Sequence, residues 1–405
     1  MAVPWYPVIS CDSHIHEPRD LYQTRLPEHL RHRGPRVEST DEGDRIMMGD
    51  RLVRWVGLEA MEEFDTKDRT WKGTRYEVGR RGKFDAEARK ADLAADGVQG
   101  EVVYGFSYWM DQEDREVLAA MIRVYNDWVT EFFADVADRS IAPAMLPSWD
   151  VDLAVAELTR VRSTGHRAAQ IAVPYVGEIK YGYMNPEYDR LWAAFVDLDL
   201  PVTMHIGTGC AKPRYRGPGA TMHDFMDTFA DTQDVVRDFI CGGLFDRFPT
   251  LRLAATEGGI GWAPWFVMMM DRMCVDNGAF LFPKLAELPS FYFARNCLIT
   301  FQEDVPGLRC LDMIESSVAW GSDYPHREGT FPNSRAKIAE QVAHLPLETQ
   351  QRICAGNAAR VFGFDLDAIA RRYGPDSEHH RRYSAIDGGS VTPDDVPTVV
   401  GAGAG

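Results

Sequence analysis

The chain has 405 residues, 45% of them hydrophobic, enough to bury a large core in one big domain or two ordinary ones. Its 44 basic and 61 acidic side chains leave a formal net charge of −17 with no Lys/Arg block, which argues against a nucleic-acid partner. The 7 cysteines lie far apart without a CxxC pair, so buried thiols are expected rather than a disulfide framework or a zinc ribbon. The opening MAVPWYPVIS lacks a basic segment followed by a long apolar one, and no later run is long enough to span a bilayer, so no membrane partner is expected and the sequence reads as cytoplasmic.

In chain order, short β-branched runs alternate with amphipathic stretches. The runs are YPVISCDSH at 6 to 14, GEVVYGF at 100 to 106, IAPAML at 141 to 146, RAAQIAVP at 167 to 174, PVTMHIG at 201 to 207, LRLAATEGG at 251 to 259, NCLITF at 296 to 301 and SSVAWGSD at 316 to 323. Between them, apolar residues recur at three- and four-residue spacing, as in DREVLAAMIRVYNDWVTEFFADV and NPEYDRLWAAFVDL, which predicts helices. Strand-then-helix units repeated in this way predict an α/β fold, a (β/α)8 TIM barrel over residues 1–372. Residues 30–85 break the rhythm with charged, alternating pieces such as DRIMMGDRLVRWVG and read as a hairpin insertion after strand one, at the barrel mouth. Residues 373–405 are rich in Pro, Gly and charge and close with GAGAG, which predicts an extended or loosely ordered C-terminal arm. The arm and the long helices are compatible with a homodimer.

Active sites of such barrels form at the C-terminal ends of the strands. Ligand-type residues fall there: Asp12 and His14 end strand one, His205 strand five, Glu257 strand six and Asp323 strand eight. Asp12, His14 and His16 share parity and face one side of an extended strand, with Glu17 on the other. Taken singly, each has an ordinary structural reading: a hydrogen-bonded His, an Asp at a helix start, a Glu paired with an Arg. Together on one rim they are costly to bury unless a cation compensates, and a bound metal is the simplest compensation.

These motifs resemble the amidohydrolase superfamily, in its amidohydrolase-2 branch, which includes aminocarboxymuconate semialdehyde decarboxylase and aromatic-acid decarboxylases. The resemblance runs from about residue 8 to 365 and rests on DSHIHEP, RKADLAADGVQGEVVYGF, NPEYDRLWAAFVDLDLPVTMHIG, FDRFPTLRLAATEGGIGW, WGSDYPHREGTFP and ICAGNAARVFGF. It implies a metal-bearing barrel with ligands Asp12 and His14, or His14 and His16, together with His205 and Asp323. The position of Pro18 favours the acid-x-His register. A departure follows strand six, where the decarboxylases carry His-Gly-Gly and this chain reads Glu257-Gly258-Gly259. In dinuclear amidohydrolases this position binds a second metal, and a carboxylate could also bind one.

With His326 and Glu328 on the last loop, the rim holds more donors than one tetrahedral metal uses, which suggests two divalent metal ions. Ligation by carboxylate and imidazole without thiolate favours iron, with zinc and manganese as alternatives. The expected metal set is Asp12, His14, His16, His205, Glu257 and Asp323. Glu257, Asp323, His326 and Glu328 are the acid/base candidates, and Glu17 supports the ligands from behind. Two functions follow. The first is a nonheme diiron monooxygenase, similar to that of platensimycin-type diterpenoid biosynthesis. It would use O2 to hydroxylate an apolar, terpenoid-like small molecule carrying a carboxylate or ester. The alternative is a metal-dependent decarboxylase or hydrolase of a small carboxylic acid, with Asp323 or Glu257 as base. Trp262, Trp265, Met268, Met269, Tyr324 and Phe331 are candidates for an apolar wall, and Lys212, Arg214, Arg216 and Arg327 for the mouth.

Overall fold

The computed structural model describes residues 5–56, 74–105, 113–209 and 215–392. Its first strand, β1 (Ile9–Ile15), is buried along its whole length. Three strands then form a separate antiparallel sheet, β2 (Pro35–Thr40), β3 (Gly43–Met48) and β4 (Arg51–Trp55), which is the inserted excursion. Asp44, 1% exposed, ties it to the rest. It accepts from Arg19 and Arg75 and from the Tyr76 amide, each at 3.0 Å. Residues 57–73 of the excursion lie outside the described residues.

After β5 (Gly79–Arg80) come β6 (Gly100–Gly105), β7 (Ser140–Ile141), β8 (Ala144–Met145), β9 (Ala169–Gln170), β10 (Val202–His205), β11 (Leu253–Thr256), β12 (Cys297–Phe301), β13 (Val318–Trp320) and β14 (Ser390–Val391). β1, β6 and β7 pair in parallel, as do β8 through β13 in sequence order. The two arcs meet twice. The run expected at 141 to 146 supplies both β7 and β8, because Pro143 between them has no N–H to give the ladder. At the other seam, the Asp323 amide donates to the Asp12 carbonyl at 2.8 Å and the His14 amide to the Tyr324 carbonyl at 2.5 Å, closing β13 onto β1. The result is a parallel TIM barrel.

Helices cover the strands as the spacing predicts. Helix Arg115–Phe132 starts at Asp114, whose carboxylate caps the Val117 amide at 3.3 Å. Helix Asp189–Asp197 buries Trp192 against Phe239 of helix Ala220–Cys241, with ring centroids 5.1 Å apart. Inside, Ile9, Val102, Ala254, Leu298 and Ala319 from successive strands share one cluster with Ala358, Val361 and Phe362. No helix among the described residues is long and apolar enough to cross a membrane. The six described cysteines are free, and Cys210 lies outside the described residues.

The C-terminal segment differs from the expected loose arm as far as residue 392. Helix Glu378–Tyr383 and β14 are both formed, and β14 pairs antiparallel with β5. Tyr383 packs with Ala91 and Ala94, and its hydroxyl donates to Glu87 at 2.8 Å, so one aromatic side chain gives the segment a place to dock. Residues 393–405, with the terminal GAGAG, lie outside the described residues.

Candidate metal centre

The strand ends deliver their carboxylates and imidazoles to one place. Gly321 makes this possible at the seam, since a Cβ there would meet the Asp12 Cβ at 2.5 Å. Glu257 (φ 67°) and Asp323 (φ 56°) both adopt left-handed backbone, which is uncommon for non-glycine residues and which Tyr181 and Asp199 also adopt away from the strand ends. The Thr300 hydroxyl accepts from the Glu257 amide at 2.8 Å and holds one of these turns.

His205 Nδ1 stands 3.0 Å from the Ile206 carbonyl, an oxygen that can only accept, so Nδ1 carries the proton and Nε2 faces the centre. There Nε2 lies 2.6 Å from Glu257 Oε2 and 3.5 Å from Asp12 Oδ1. His14 Nε2 lies 3.5 Å from Asp12 Oδ1 and 3.1 Å from Asp323 Oδ1, and His326 Nδ1 reaches the same Asp323 oxygen at 2.8 Å. The His326 ring stacks on His14, centroids 4.1 Å apart.

Asp12 Oδ1, His14 Nε2, His205 Nε2 and both Asp323 oxygens are buried and make no hydrogen bond among the described residues, although the two histidines stand within ion-pair distance of these carboxylates. Lone pairs converging without a hydrogen between them fit a shared divalent cation. The ligating atoms fall in two groups, each within 4.8 Å: Asp12, His14, His205 and Glu257, and His14, Asp323 and His326. His14 belongs to both.

Titration behaviour reflects the same crowding. Burial pushes Asp12 up to about 7 against the pull of His205. Burial and the neighbouring His326 bring His14 down to about 3, which keeps it neutral and able to ligate. Burial opposes charge on His205 and His326, but Glu257 and Asp12 raise the first well above the imidazole range, and Asp323 raises the second to about 10. A cluster that gathers protons in this way lacks positive charge of its own, which a metal ion would supply.

His16 and Glu17 are not drawn into either group. The parity argument ends with β1, because the His16 amide leaves the ladder and donates to the Lys83 carbonyl at 2.8 Å. The His16 ring meets Tyr76 at 6.3 Å. Glu17 is buried and accepts from the Tyr22 hydroxyl at 3.2 Å. Glu328 is exposed but lines the cavity beside Asp12 and Glu257, about 320 Å³, whose other walls include Phe225, Phe229, Phe301 and Gln302.

The apolar wall is therefore not the expected one. Trp265 and Met269 line a separate cavity with Cys241 and Cys274, Tyr324 is buried, and Phe331 packs on Tyr324 at 5.1 Å. Helix periodicity marks Phe225 and Phe229 as apolar, yet nothing in it says which face borders the site. Of the basic candidates, Arg216 is exposed, Arg327 is half-buried, and Lys212 and Arg214 lie outside the described residues.

A support invisible to motif reading lies beneath Asp323. Tyr324 donates to Asp92 Oδ2 at 2.5 Å, and Asp92 also holds Arg80, which reaches Asp387 of the C-terminal segment at 3.2 Å. Tyr324→Phe removes a buried hydrogen bond to a carboxylate. It is expected to lower stability by about 2 kcal/mol in urea denaturation, and an unchanged midpoint would show that the contact carries no weight.

A parallel barrel with buried carboxylate and imidazole donors at its strand ends is the architecture of a metal-dependent barrel enzyme. A family profile described as amidohydrolase matches residues 11–364, and the chain belongs to that family. The chain is 23% identical over 294 residues to 2-amino-3-carboxymuconate-6-semialdehyde decarboxylase of Dictyostelium discoideum, across 70% of this chain and 77% of the relative. The fold is similar to that of an amidohydrolase from Mycobacterium avium subsp. paratuberculosis K-10, with TM-score 0.70, 20% identity and coverage of 88% and 99% of the two chains. It is also similar to 5-carboxyvanillate decarboxylase from Novosphingobium aromaticivorans, complexed with manganese and 4-hydroxy-3-methoxy-5-nitrobenzoic acid. There the TM-score is 0.61 at 17% identity, over 88% of this chain and 96% of the other.

Proposed function

We propose that this enzyme is a metal-dependent decarboxylase of a small carboxylic acid. The observation that carries the reading is a division of exposure within the cluster. The Asp12, His14 and Asp323 side chains are 5%, 5% and 1% exposed and His205 11%, whereas Glu257 and His326 are 20% and 24% exposed. This division supports assigning the first four to a metal and the last two to meeting a substrate and moving protons. Manganese in the carboxyvanillate enzyme makes it a reasonable first metal to test, with iron and zinc beside it.

When bound, the metal would supply a positive charge to hold the substrate's acid group and stabilise negative charge developing near it. His326, with Nδ1 at ion-pair distance (2.8 Å) from Asp323, gives its proton to the carbon that loses the carboxylate. The carbon–carbon bond breaks, its electron pair stays on that carbon and takes the proton, and CO2 leaves. Glu257 occupies the position where the decarboxylases are expected to carry an acid/base imidazole, which leaves His326 to perform that role. A cavity of about 320 Å³ with three Phe side chains suits a single-ring acid.

The expected oxygenase finds no support among the relatives above, which are named as decarboxylases and an amidohydrolase. One observation keeps it as a second reading. Two donor groups overlapping at His14, one of them with a carboxylate at 257, could hold two irons. Metal analysis of anaerobically purified protein, followed by parallel assays of CO2 release from aromatic carboxylic acids and of O2 uptake with a reductant, separates the two. His326→Gln is expected to lower CO2 release by about two to four orders of magnitude. Iron-dependent O2 uptake without CO2 release would sink the decarboxylase reading.

A further inference from the structure

At the opposite end of the barrel, the segment entering β7 carries Arg139, which is 1% exposed and whose Nε and Nη2 have no hydrogen-bond partner among the described residues. Glu101 opposes its charge but makes no hydrogen bond to it: Oε1 accepts from Arg89 and Ser140 at 2.9 Å each, and Oε2 from Arg89 at 2.7 Å and Ser13 at 3.0 Å. The Arg139 guanidinium lies instead over the Tyr373 ring, 4.3 Å from its centroid. His379 meets the same ring edge-on at 4.8 Å, and its buried Nε2 likewise has no hydrogen-bond partner among the described residues.

His379 lines a groove of about 640 Å³ with Lys90, Arg371, Arg372 and Arg382, against the carboxylates of Glu87, Asp135 and Glu378. Much of the negative charge is committed. Glu87 holds Lys90 at 2.6 Å and the Tyr383 hydroxyl at 2.8 Å, and Asp135 lies 3.5 Å from Lys90. Arg372 pairs with Asp138 at 3.0 Å, but no carboxylate among the described residues lies within ion-pair distance of Arg371 or Arg382. Burial and the surrounding Arg139, Lys90, Arg372 and Arg382 bring the His379 imidazole down to about 4, which registers the positive field at this spot.

We propose that this groove binds a phosphate group, free or as a phosphomonoester, with Arg371 and Arg382 as charge-assisted donors, His379 at its floor and Arg139 as buried positive charge behind Tyr373. Arg382 and His379 come from the C-terminal segment, Arg371 from helix Leu366–Tyr373 and Lys90 from helix Ala86–Asp96. A bound phosphate would therefore pin that segment to the barrel. Guanidinium–phosphate hydrogen bonds are among the stronger polar contacts in proteins, so a site with Arg371 and with Arg382, which lies over the Tyr383 ring at 5.0 Å but pairs with no carboxylate among the described residues, is a better match for phosphate than for a neutral ligand.

The full-length protein is titrated with sodium phosphate, and separately with glycerol phosphate, against sodium chloride at equal ionic strength. The His379 ring resonance, assigned by its loss in His379→Gln, is followed by NMR. A saturable shift is expected, weakened at least about tenfold in Arg371→Ala/Arg382→Ala, whose changes are on exposed residues and should leave the fold intact. A lower midpoint for glycerol phosphate assigns the ligand to an ester, and equal or weaker binding assigns it to free phosphate. Because the paired variant leaves the metal donors untouched, phosphate captured there would persist in it. A His379 resonance that does not move, or moves identically in the wild type and the paired variant, would overturn the proposal.

Discussion

Asp323→Asn is expected to lower turnover by about two to three orders of magnitude and to reduce the metal content of the purified protein, while leaving the fold intact. Asp323 is 1% exposed and stands between His14 Nε2 at 3.1 Å and His326 Nδ1 at 2.8 Å. Burial would favour its protonated form, but His326 and His14 overcome this and hold its carboxyl well below the usual range. The amide keeps the shape and loses the charge, so it no longer compensates a cation or fixes the His326 ring. The left-handed backbone at φ 56° makes the exchange a clean one, because Asn tolerates that conformation at least as well as Asp. Metal stoichiometry by elemental analysis, read beside CO2 release and a circular dichroism melt, separates loss of chemistry from loss of structure. Full metal content and wild-type turnover would remove Asp323 from the centre.

Barrel strands are legible in the sequence because each is a short, fully buried apolar run that ends in a polar residue, as in β10 with His205 and β11 just before Glu257. The donors are legible for the same reason: burial makes a terminal His or Asp conspicuous. His16 shows where the reasoning stops, since period-two parity holds only while the backbone stays in the ladder, and the Lys83 carbonyl draws the chain out of it one residue after β1. Helix Ala86–Asp96 was less legible still. Its run of charges, AEARKADLAAD, has the composition of a solvated face, yet Arg89, Lys90, Asp92 and Asp96 are all buried. Lys90 has a partner within the helix, Glu87, but those of Arg89, Asp92 and Asp96 (Glu101, Arg80, Tyr324 and Ser334) lie outside it, where no local pattern can reveal them.

Arg89 carries the second large effect, this time on the fold. The side chain is 2% exposed and forms a two-pronged pair with Glu101, Nε to Oε1 at 2.9 Å and Nη2 to Oε2 at 2.7 Å. Its Nη1 donates to the His14 carbonyl at 2.7 Å, so the pair also fixes the strand segment that carries His14. Arg89→Met keeps much of the volume but leaves the Glu101 carboxylate buried without its cation. An unpaired buried charge of this kind costs about 3–5 kcal/mol, well above the effect of losing a surface ion pair. The expected result is a fall of that size in urea unfolding, together with weaker metal retention as His14 loses its backbone anchor. Arg89→Met/Glu101→Met removes both charges and should be less destabilised than the single variant, because most of the cost lies in the orphaned carboxylate rather than in the lost attraction. If the paired variant were instead at least as unstable as Arg89→Met, the attraction itself, together with the contacts to Ser13 and Ser140, would be the larger contribution.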